Sequence, residues 1–459
     1  MIRKSAWEKY DADALQALEA FSADYRRFLD AGKTERECAA LAVAAAKAAG
    51  YTDLKEALSQ GKALRPGDRV YRNWMGKSVV LFIVGSRPLR EGMQILGAHI
   101  DSPRIDLKPN PLYEEDGLAY LDTQYYGGVK KYQWVALPLA LHGVVVRLDG
   151  SVLTVAIGEA EGDPVFCISD LLPHLADEQM KLDGEKLIEG EALNLIVGGR
   201  PLKGAEKDPV KAGVLKLLKE KYGLEEEDFI SAELELVPAG KSRDMGFDGS
   251  MILGYGHDDR VCAYPSLRAL LDFTGTPERT LCAVLTDKEE IGSVGATGMR
   301  SHYFENIVSE LVKGVGEYSE FDLKQALSNS RMLSSDVSAG YDPNFASAFE
   351  KKNAAYLSAG VCFNKYTGGS GKHASSDANA EYIGALRRMM HENDVSFQFA
   401  EMGRVDLGGG GTIAYMCAKY CMNVIDCGVP VLSMHAPWEV ISKADLYEAY
   451  KCYCAFLKG

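Results

Sequence analysis

The chain has 459 residues and a net charge of −14, and 47% of its residues are hydrophobic. This composition is that of a globular protein, because a disordered chain carries fewer apolar and aromatic residues. The excess of acidic side chains argues against binding to nucleic acids and to anionic membrane surfaces, since both require basic patches. Because one hydrophobic core rarely grows beyond about 250–300 residues, the length predicts two domains.

No segment of the sequence has the pattern of a signal peptide or of a membrane span. Residues 1–10 lack an apolar core. The strongest apolar run, Ser78–Val84, is far shorter than the roughly 20 residues that cross a bilayer. The ten cysteines form no Cys-x-x-Cys pair and lie mostly in apolar segments, which favours buried, reduced thiols. We therefore predict a cytoplasmic protein.

The first 60 residues have the pattern of helices. Ala14–Leu29 and Cys38–Ala49 are rich in Ala and Leu, and Asp13 and Thr34 are candidate N-caps. A strand-like apolar run then covers Met93–Ile100 and is followed by polar residues. In open α/β sheets, polar residues at the C-terminal ends of buried strands form the functional site.

The composition and the hydrophobic pattern of the sequence change over residues 104–241. Val129–Leu148 is rich in β-forming residues, and Ala205–Asp228 is charged and helical in pattern. This length is enough for an independent unit, so we interpret 104–241 as an inserted domain; a long decoration of a single domain is the alternative. The flanking segments, 1–103 and 242–459, then form one split domain.

After residue 241 an α/β pattern resumes. Strand-like runs at Met251–Tyr255 and Leu281–Leu285 alternate with helical segments such as Arg260–Asp272, and a helix over Ala444–Leu457 closes the chain. The pattern predicts the α/β fold class, with a sheet that has helices on both faces and is interrupted by the insertion.

In several places an apolar run stops at an acid or a histidine. These positions are His99, Glu289 with Glu290, Asp336 and His435, and a further acidic pair, Asp258 with Asp259, follows a glycine-rich turn. Histidines and carboxylates together suit zinc, manganese or cobalt. Two histidines and three carboxylates would also neutralise most of the charge of two divalent ions.

Each motif alone also has an ordinary structural explanation. His99 and Asp101 point to the same side of an extended segment, so one can bind a metal while the other orients ligands, or both can belong to a surface turn. The adjacent Glu289 and Glu290 diverge, so one can be a ligand and the other a general base, or both can begin a solvated helix. One carboxylate of the pair Asp258 and Asp259 can bridge two ions, or the pair can cap the helix that starts near Arg260.

Five segments carry a resemblance to a known family when they are taken in order: GAHIDSPRIDLKP, GHDDRVCAY, LTDKEEIGSVGATG, MLSSDVSAGYDPNF and SMHAPWEV. They resemble the dinuclear-metal aminopeptidases that include aspartyl aminopeptidase and vacuolar aminopeptidase I, over nearly the whole chain. The resemblance implies a three-layer α/β/α catalytic domain with a mixed, mostly parallel sheet, interrupted by a β-rich dimerisation domain. It also implies hydrolysis of the N-terminal residue of peptides with two divalent ions per subunit, zinc or else cobalt or manganese.

The resemblance further implies a role for each residue of these motifs. It assigns one ion to His99 and Asp336, the other ion to Glu290 and His435, the bridge between them to Asp258, the general base to Glu289 and the support of the ligands to Asp101. Family members assemble as dimers and commonly as a tetrahedral dodecamer, in which a histidine from a neighbouring subunit reaches the active site. His174 matches the place of that histidine.

Two glycine-rich segments are candidates for substrate binding. Thr367–His373 does not have the pattern of a phosphate-binding loop, because Tyr366 stands where that pattern requires a glycine. We expect Lys372 to lie on the substrate side, although a flexible turn is the alternative. In Gly408–Gly411, residues such as Gly410 allow close backbone approach and free N–H groups at a helix start, for substrate binding or for a tight strand–helix joint.

The sequence does not predict which N-terminal residue is removed. Ala339 stands where acidic-specific eukaryotic members of the family carry a histidine. Two alternative functions remain: a dinuclear-metal deacylase or dipeptidase on a related domain, and a catalytically silent assembly or peptide-binding protein. The retention of every ligand type and of Glu289 argues against the silent protein.

Overall fold

The computed structural model describes residues 4–459. Its β-strands are β1 (Thr52–Asp53), β2 (Arg69–Trp74), β3 (Ser78–Ile83), β4 (Met93–His99), β5 (Arg104–Glu115), β6 (Leu118–Tyr126), β7 (Leu139–Val146), β8 (Val152–Ile157), β9 (Leu195–Gly198), β10 (Ala232–Pro238), β11 (Arg243–Met245), β12 (Met251–Gly254), β13 (Thr280–Thr286), β14 (Arg331–Ser334), β15 (Ser338–Ala339), β16 (Val361–Asn364), β17 (Phe397–Ala400), β18 (Asn423–Gly428), β19 (Pro430–Val431) and β20 (Glu439–Ser442). Its α-helices are α1 (Ala12–Ala31), α2 (Glu35–Ala48), α3 (Leu54–Ser59), α4 (Pro209–Leu217), α5 (His257–Leu271), α6 (Tyr303–Val315), α7 (Glu320–Ser328), α8 (Ala380–Glu392), α9 (Ala414–Ala418) and α10 (Lys443–Lys458).

The chain divides into two compact units. The first unit comprises the chain up to Ser102 together with Ser242–Met434 and Glu439–Gly459. The second unit comprises Pro103–Lys241 and the short segment His435–Trp438.

The first unit is built on a nine-stranded sheet of order β1-β2-β3-β13-β4-β14-β18-β16-β17. The central strands β13, β4, β14 and β18 are parallel neighbours. β3 runs antiparallel to both β2 and β13, whereas β16 runs antiparallel to β18 and parallel to β17. One face of the sheet packs against α1, α2, α5, α8 and α10, and the other face packs against α3, α6, α7 and α9. A mixed, mostly parallel sheet between two helical layers confirms the predicted α/β fold class.

The core of this unit explains why its central strands read as apolar runs. Every residue of β3, β4 and β13 is buried, as expected for strands covered by helices on both faces.

Hydrogen bonds from local side chains determine where the first two helices begin. Thr34 caps α2, as predicted, and the structure shows that it forms a capping box with Glu37. The prediction of Asp13 as the cap of α1 was wrong: Asp11 accepts a hydrogen bond from the Ala14 backbone N–H, so this helix begins earlier.

The second unit contains a six-stranded antiparallel sheet of order β8-β7-β10-β5-β6-β9. Its long β5–β6 hairpin has a register shift between Leu107 and Leu112. The helix predicted over Ala205–Asp228 is shorter than expected. Pro209 occupies its first turn, and Gly223 closes the following turn in the left-handed region.

Among residues 4–459, no helix combines the length and the apolar character that crossing a membrane requires.

Candidate metal centre

The polar residues predicted from strand ends meet at one edge of the large sheet. β13, β4 and β14 run parallel, with Thr286 opposite His99 and Ser334 opposite Gly97. The chain segments that follow these strands therefore leave the sheet side by side. They carry the turn Glu289–Ile291 after β13 and Asp336 after β14.

Donor atoms from these segments form overlapping clusters. One nitrogen or oxygen from each of His99, Asp258 and Asp336 lies within 4.8 Å of the others, and the same holds for His99, Glu289 and Glu290. His99 and Asp258 are buried, with 2% and 3% of their surface exposed, whereas the glutamates are half-buried. The structure thus brings together the five residues of the first unit for which metal binding or base catalysis was predicted.

The His99 ring is held between two aspartates. Its Nε2 lies 3.1 Å from Oδ1 of Asp258, and its Nδ1 lies 3.0 Å from the backbone oxygen of Asp101. Burial alone would lower the pKa of His99, but the hydrogen bonds to both aspartates and the charge of Glu289 raise it well above its usual value. A metal ion that replaced the proton on Nε2 would find the ring already oriented by Asp101.

Asp101 also holds the turn that carries the two glutamates. Its carboxylate is fully buried and accepts hydrogen bonds from the backbone N–H of Glu289 at 3.1 Å and of Glu290 at 3.2 Å. The Oδ1 of Asp101 also lies 3.3 Å from Nδ1 of His99. Asp101 therefore contacts both the histidine ring and the Glu289–Ile291 turn.

The carboxylates around His99 carry more negative charge than this histidine can balance. Burial and the charges of Asp259 and Glu289 raise the pKa of Asp336 well above its usual value. Burial likewise raises the pKa of Asp259. Crowded, desolvated carboxylates are stabilised by bound cations, and a set of carboxylate oxygens with an imidazole nitrogen suits zinc, manganese or cobalt. The residues present therefore fit divalent metal ions.

Asp258 is fixed by contacts that the sequence did not reveal. Its backbone N–H donates to Oε2 of Glu439 at 3.0 Å, and its backbone oxygen accepts a hydrogen bond from Oγ of Ser102 at 2.6 Å. The backbone of Asp258 and Asp259 is non-helical, so the regular part of α5 begins after this pair, near Arg260, as predicted. The carboxylate of Asp259 accepts a hydrogen bond from the backbone N–H of His99 at 3.2 Å.

Gly428 illustrates how tightly the sheet packs behind Asp336. A Cβ atom on this residue would lie 1.9 Å from the backbone oxygen of Asp336 and 3.0 Å from Sγ of Cys262. Only glycine lets β18 pass this close to the segment after β14.

The two candidate glycine-rich segments lie against each other. The Gly410 backbone N–H donates to the backbone oxygen of Thr367 at 3.0 Å, so the loop of Gly410 touches the loop of Lys372. The ammonium of Lys372 is exposed, pairs with Asp377 at 2.8 Å and lies 4.2 Å from the centre of the Tyr366 ring.

Two predicted histidines belong to the second unit. His435 is half-buried, and its Nδ1 lies 2.9 Å from the backbone oxygen of Gly128. His174 is exposed within the short 3₁₀ turn Pro173–Leu175. Position 174 thus presents its side chain to solvent in the single chain.

Comparisons with known proteins agree over nearly the whole length. The family described as "Aminopeptidase I zinc metalloprotease (M18)" matches residues 28–457. A "Probable M18 family aminopeptidase 1" of Clostridium acetobutylicum is 54% identical over 457 residues, covering 99% of this chain and 98% of the relative. The crystal structure of an M18-family aminopeptidase from Thermotoga maritima superposes with a TM-score of 0.94 at 42% identity, covering 100% and 99% of the two chains. The structure of the Saccharomyces cerevisiae mApe1 dodecamer shares the fold at 19% identity, with a TM-score of 0.78 and coverage of 96% and 97%.

Proposed function

From the premise that this chain belongs to the M18 family of zinc aminopeptidases, we propose that Glu289 is the general base with which it hydrolyses the first peptide bond of its substrates. The family confirms the predicted aminopeptidase activity, and it favours neither a deacylase or dipeptidase nor a silent protein. The observation that carries the role of Glu289 is its place beside the cluster of buried donor atoms.

We propose that the centre holds two divalent ions, zinc or else cobalt or manganese. Support comes from the clustering of His99 and Asp336 with Asp258, and from a spacing within 4.8 Å between oxygens of Asp258 and Glu290. The resemblance adds His435 to the ligands of the second ion. When bound, such ions act as Lewis acids that polarise the peptide carbonyl and lower the pKa of water.

Glu289 is placed to move a proton. Its Oε2 lies 3.9 Å from Nε2 of His99, and its side chain keeps 15% of its surface exposed, so a water molecule and a substrate can reach it. Its backbone N–H is fixed by Asp101. Glu289 accepts the proton of the attacking water and then delivers it to the leaving amine. The acidic side chains around it attract the free α-amino group of the substrate, which restricts cleavage to the N-terminus.

We extend this proposal to the binding of the substrate and to the assembly of subunits. We propose that the loops of Lys372 and Gly410 bind the peptide, and that residues 1–103 and 242–459 form the catalytic domain. Residues 104–241 would form the dimerisation domain of a self-associating protein, up to a dodecamer as in the mApe1 structure. In such an assembly His174 would reach the site of a neighbouring subunit. The ten cysteines, all free, support a cytoplasmic location.

Replacing Glu289 with glutamine tests the role of the base. The amide keeps the size of the side chain but cannot accept the proton, so we expect kcat on an aminoacyl anilide to fall at least about a hundredfold. The metal content of the purified protein, measured by elemental analysis, should stay at the value of the unmodified enzyme.

The matched control is Glu320→Gln, an exposed glutamate in α7 that pairs with Lys324. This variant should keep both its kcat and its metal content. A Glu289→Gln protein with near-normal kcat would show that another group takes the proton. A protein that lost its metal along with its activity would instead make Glu289 a ligand.

A further inference from the structure

A buried carboxylate that the proposed chemistry does not use joins the two glycine-rich loops. Asp426 lies in β18 with 3% of its surface exposed. Its Oδ1 accepts a hydrogen bond from Oγ1 of Thr412 at 2.8 Å, and its Oδ2 accepts one from Oγ1 of Thr367 at 3.4 Å. Thr367 begins the loop of Lys372, and Thr412 ends the loop of Gly410, so each loop has one attachment to the same side chain.

The backbones of these loops also lie close to each other. A Cβ atom on Gly409 would lie 2.4 Å from the backbone oxygen of Gly368, and the φ of Gly409 is +103°. The Oγ1 of Thr412 further accepts a hydrogen bond from the backbone N–H of Ala414 at 3.2 Å, at the start of α9. The two loops thus form one layer. The hydroxyls of Thr367 and Thr412, which donate to Asp426, attach this layer to β18.

The register of the sheet puts this attachment close to the metal centre. Asp426 pairs with Ser334 of β14, and Ser334 pairs with Gly97 of β4. Asp336 and His99 each lie two residues further along these strands. At about 3.3 Å per residue along a strand and about 4.8 Å between strands, the backbone of Asp426 is roughly 12 Å from that of His99. The attachment of the two loops therefore lies within the length of a short extended peptide from the centre.

We propose that Asp426 is a positioning residue for substrate binding, which fixes the loops of Lys372 and Gly410 together over the metal centre through Thr367 and Thr412. The proposal rests on the proposed aminopeptidase mechanism. Asp426 touches neither the reacting atoms nor a metal donor. It therefore acts on how the peptide is held, and its loss should raise KM and leave the chemical step nearly intact.

Thr412→Val is the decisive variant, because valine keeps the shape of threonine and removes only the hydroxyl. We expect KM for a tripeptide to rise about tenfold, the ratio for the loss of one hydrogen bond to a charged group, with kcat and metal content nearly unchanged. Thr412→Ser keeps the hydroxyl and should restore KM. Thr280→Val is the control, since Thr280 is equally buried and its hydroxyl binds the backbone N–H of Gly85 instead.

Hydrogen exchange gives a readout that does not depend on catalysis. The unmodified protein should protect amides in residues 366–376 and 402–412, and Thr412→Val and Asp426→Asn should lose protection in both segments at once. Unchanged exchange, or an unchanged KM in Thr412→Val, would overturn the proposal. If the proposal for Asp426 failed in this way, a loss of kcat in Glu289→Gln would still support the proposed mechanism. Failure of the proposal for Asp426 is therefore distinguishable from failure of the mechanism.

Discussion

At the scale of single residues, Asp426 combines burial with several hydroxyl partners. Burial raises its pKa to about 6, although the hydroxyls of Thr412, Ser334 and Thr367 lower it. In an unfolded chain the pKa of an aspartate is about 3.9. The folded protein therefore binds this proton more tightly than the unfolded chain does. The protonated carboxyl of Asp426 therefore contributes fully to the free energy of unfolding below about pH 4, and this contribution is lost as the pH rises through about 6.

Asp426→Asn should remove this pH dependence. Between about pH 4 and pH 7 the free energy of unfolding of the unmodified protein should fall relative to that of the variant, by up to about 3 kcal/mol. Urea unfolding across this range measures the difference. Asp13→Asn, which changes an exposed carboxylate, should leave the pH dependence as it is. If the free energy of unfolding varied with pH in the same way for the unmodified protein and for Asp426→Asn, the pKa of Asp426 would be the same in the folded and unfolded states.

The clustering of the candidate donors and the place of Asp101 beside them could be predicted from the sequence, but the contacts that hold Asp258 could not. His99, Glu289 and Asp336 follow apolar runs, and the ends of parallel strands meet at one edge of a sheet. Glu439 lies 181 residues from Asp258, the residue that it holds. A contact over such a separation has no local pattern. The roles of Glu289 and Glu290 stayed open for the same reason, because their directions depend on the turn that Asp101 fixes.

At the scale of elements, α2 begins with a complete capping box. The Thr34 side chain accepts a hydrogen bond from the backbone N–H of Glu37 at 3.2 Å, and the Glu37 side chain accepts one from the backbone N–H of Thr34 at 3.1 Å. Thr34 is also buried. The cap therefore satisfies backbone donors that have no access to water.

Thr34→Ala should lower the free energy of unfolding by about 1–2 kcal/mol. Thr34→Ser keeps the hydroxyl and should recover most of that loss. Thermal unfolding followed by circular dichroism measures both variants, and kcat should not change because α2 supplies no donor to the metal centre. Equal melting temperatures for Thr34→Ala and the unmodified protein would mean that the cap adds nothing to stability.

Element boundaries were predicted well where a side chain signals them locally. Thr34 was predicted as a cap from its place before the segment Cys38–Ala49, which is rich in Ala and Leu, and the structure adds the capping box with Glu37. The extent of α4 was overestimated, because a pattern of mixed Lys and Glu does not show where a helix stops. Pro209 and Gly223 set those limits through their backbone preferences.

At the scale of the whole molecule, the strand order of the large sheet is the feature that the sequence could not supply. β4 lies between β13 and β14, which are formed by Thr280–Thr286 and Arg331–Ser334. The apolar runs predict buried strands, but they do not predict which strands pair with each other in the sheet. The alternation of apolar runs and helical segments predicts one sheet with helices on both faces, but it does not predict the order of the strands.

Light scattering coupled to chromatography tests the proposed self-association. A chain of 50.0 kDa should elute as a dimer or as a larger multiple. His174→Ala should keep that mass and lose activity, if the histidine serves a neighbouring site. His302→Ala, which changes another exposed histidine, should keep both. A monomer with full activity would exclude both self-association and the role of His174.

The strand order also decides when this enzyme can first cut a peptide. The donors proposed for the centre are spread from His99 to His435, and β4 acquires both of its neighbours only after β14 has been made. A chain still leaving the ribosome therefore lacks donors of the centre, whatever metal is at hand, until most of its length has been synthesised.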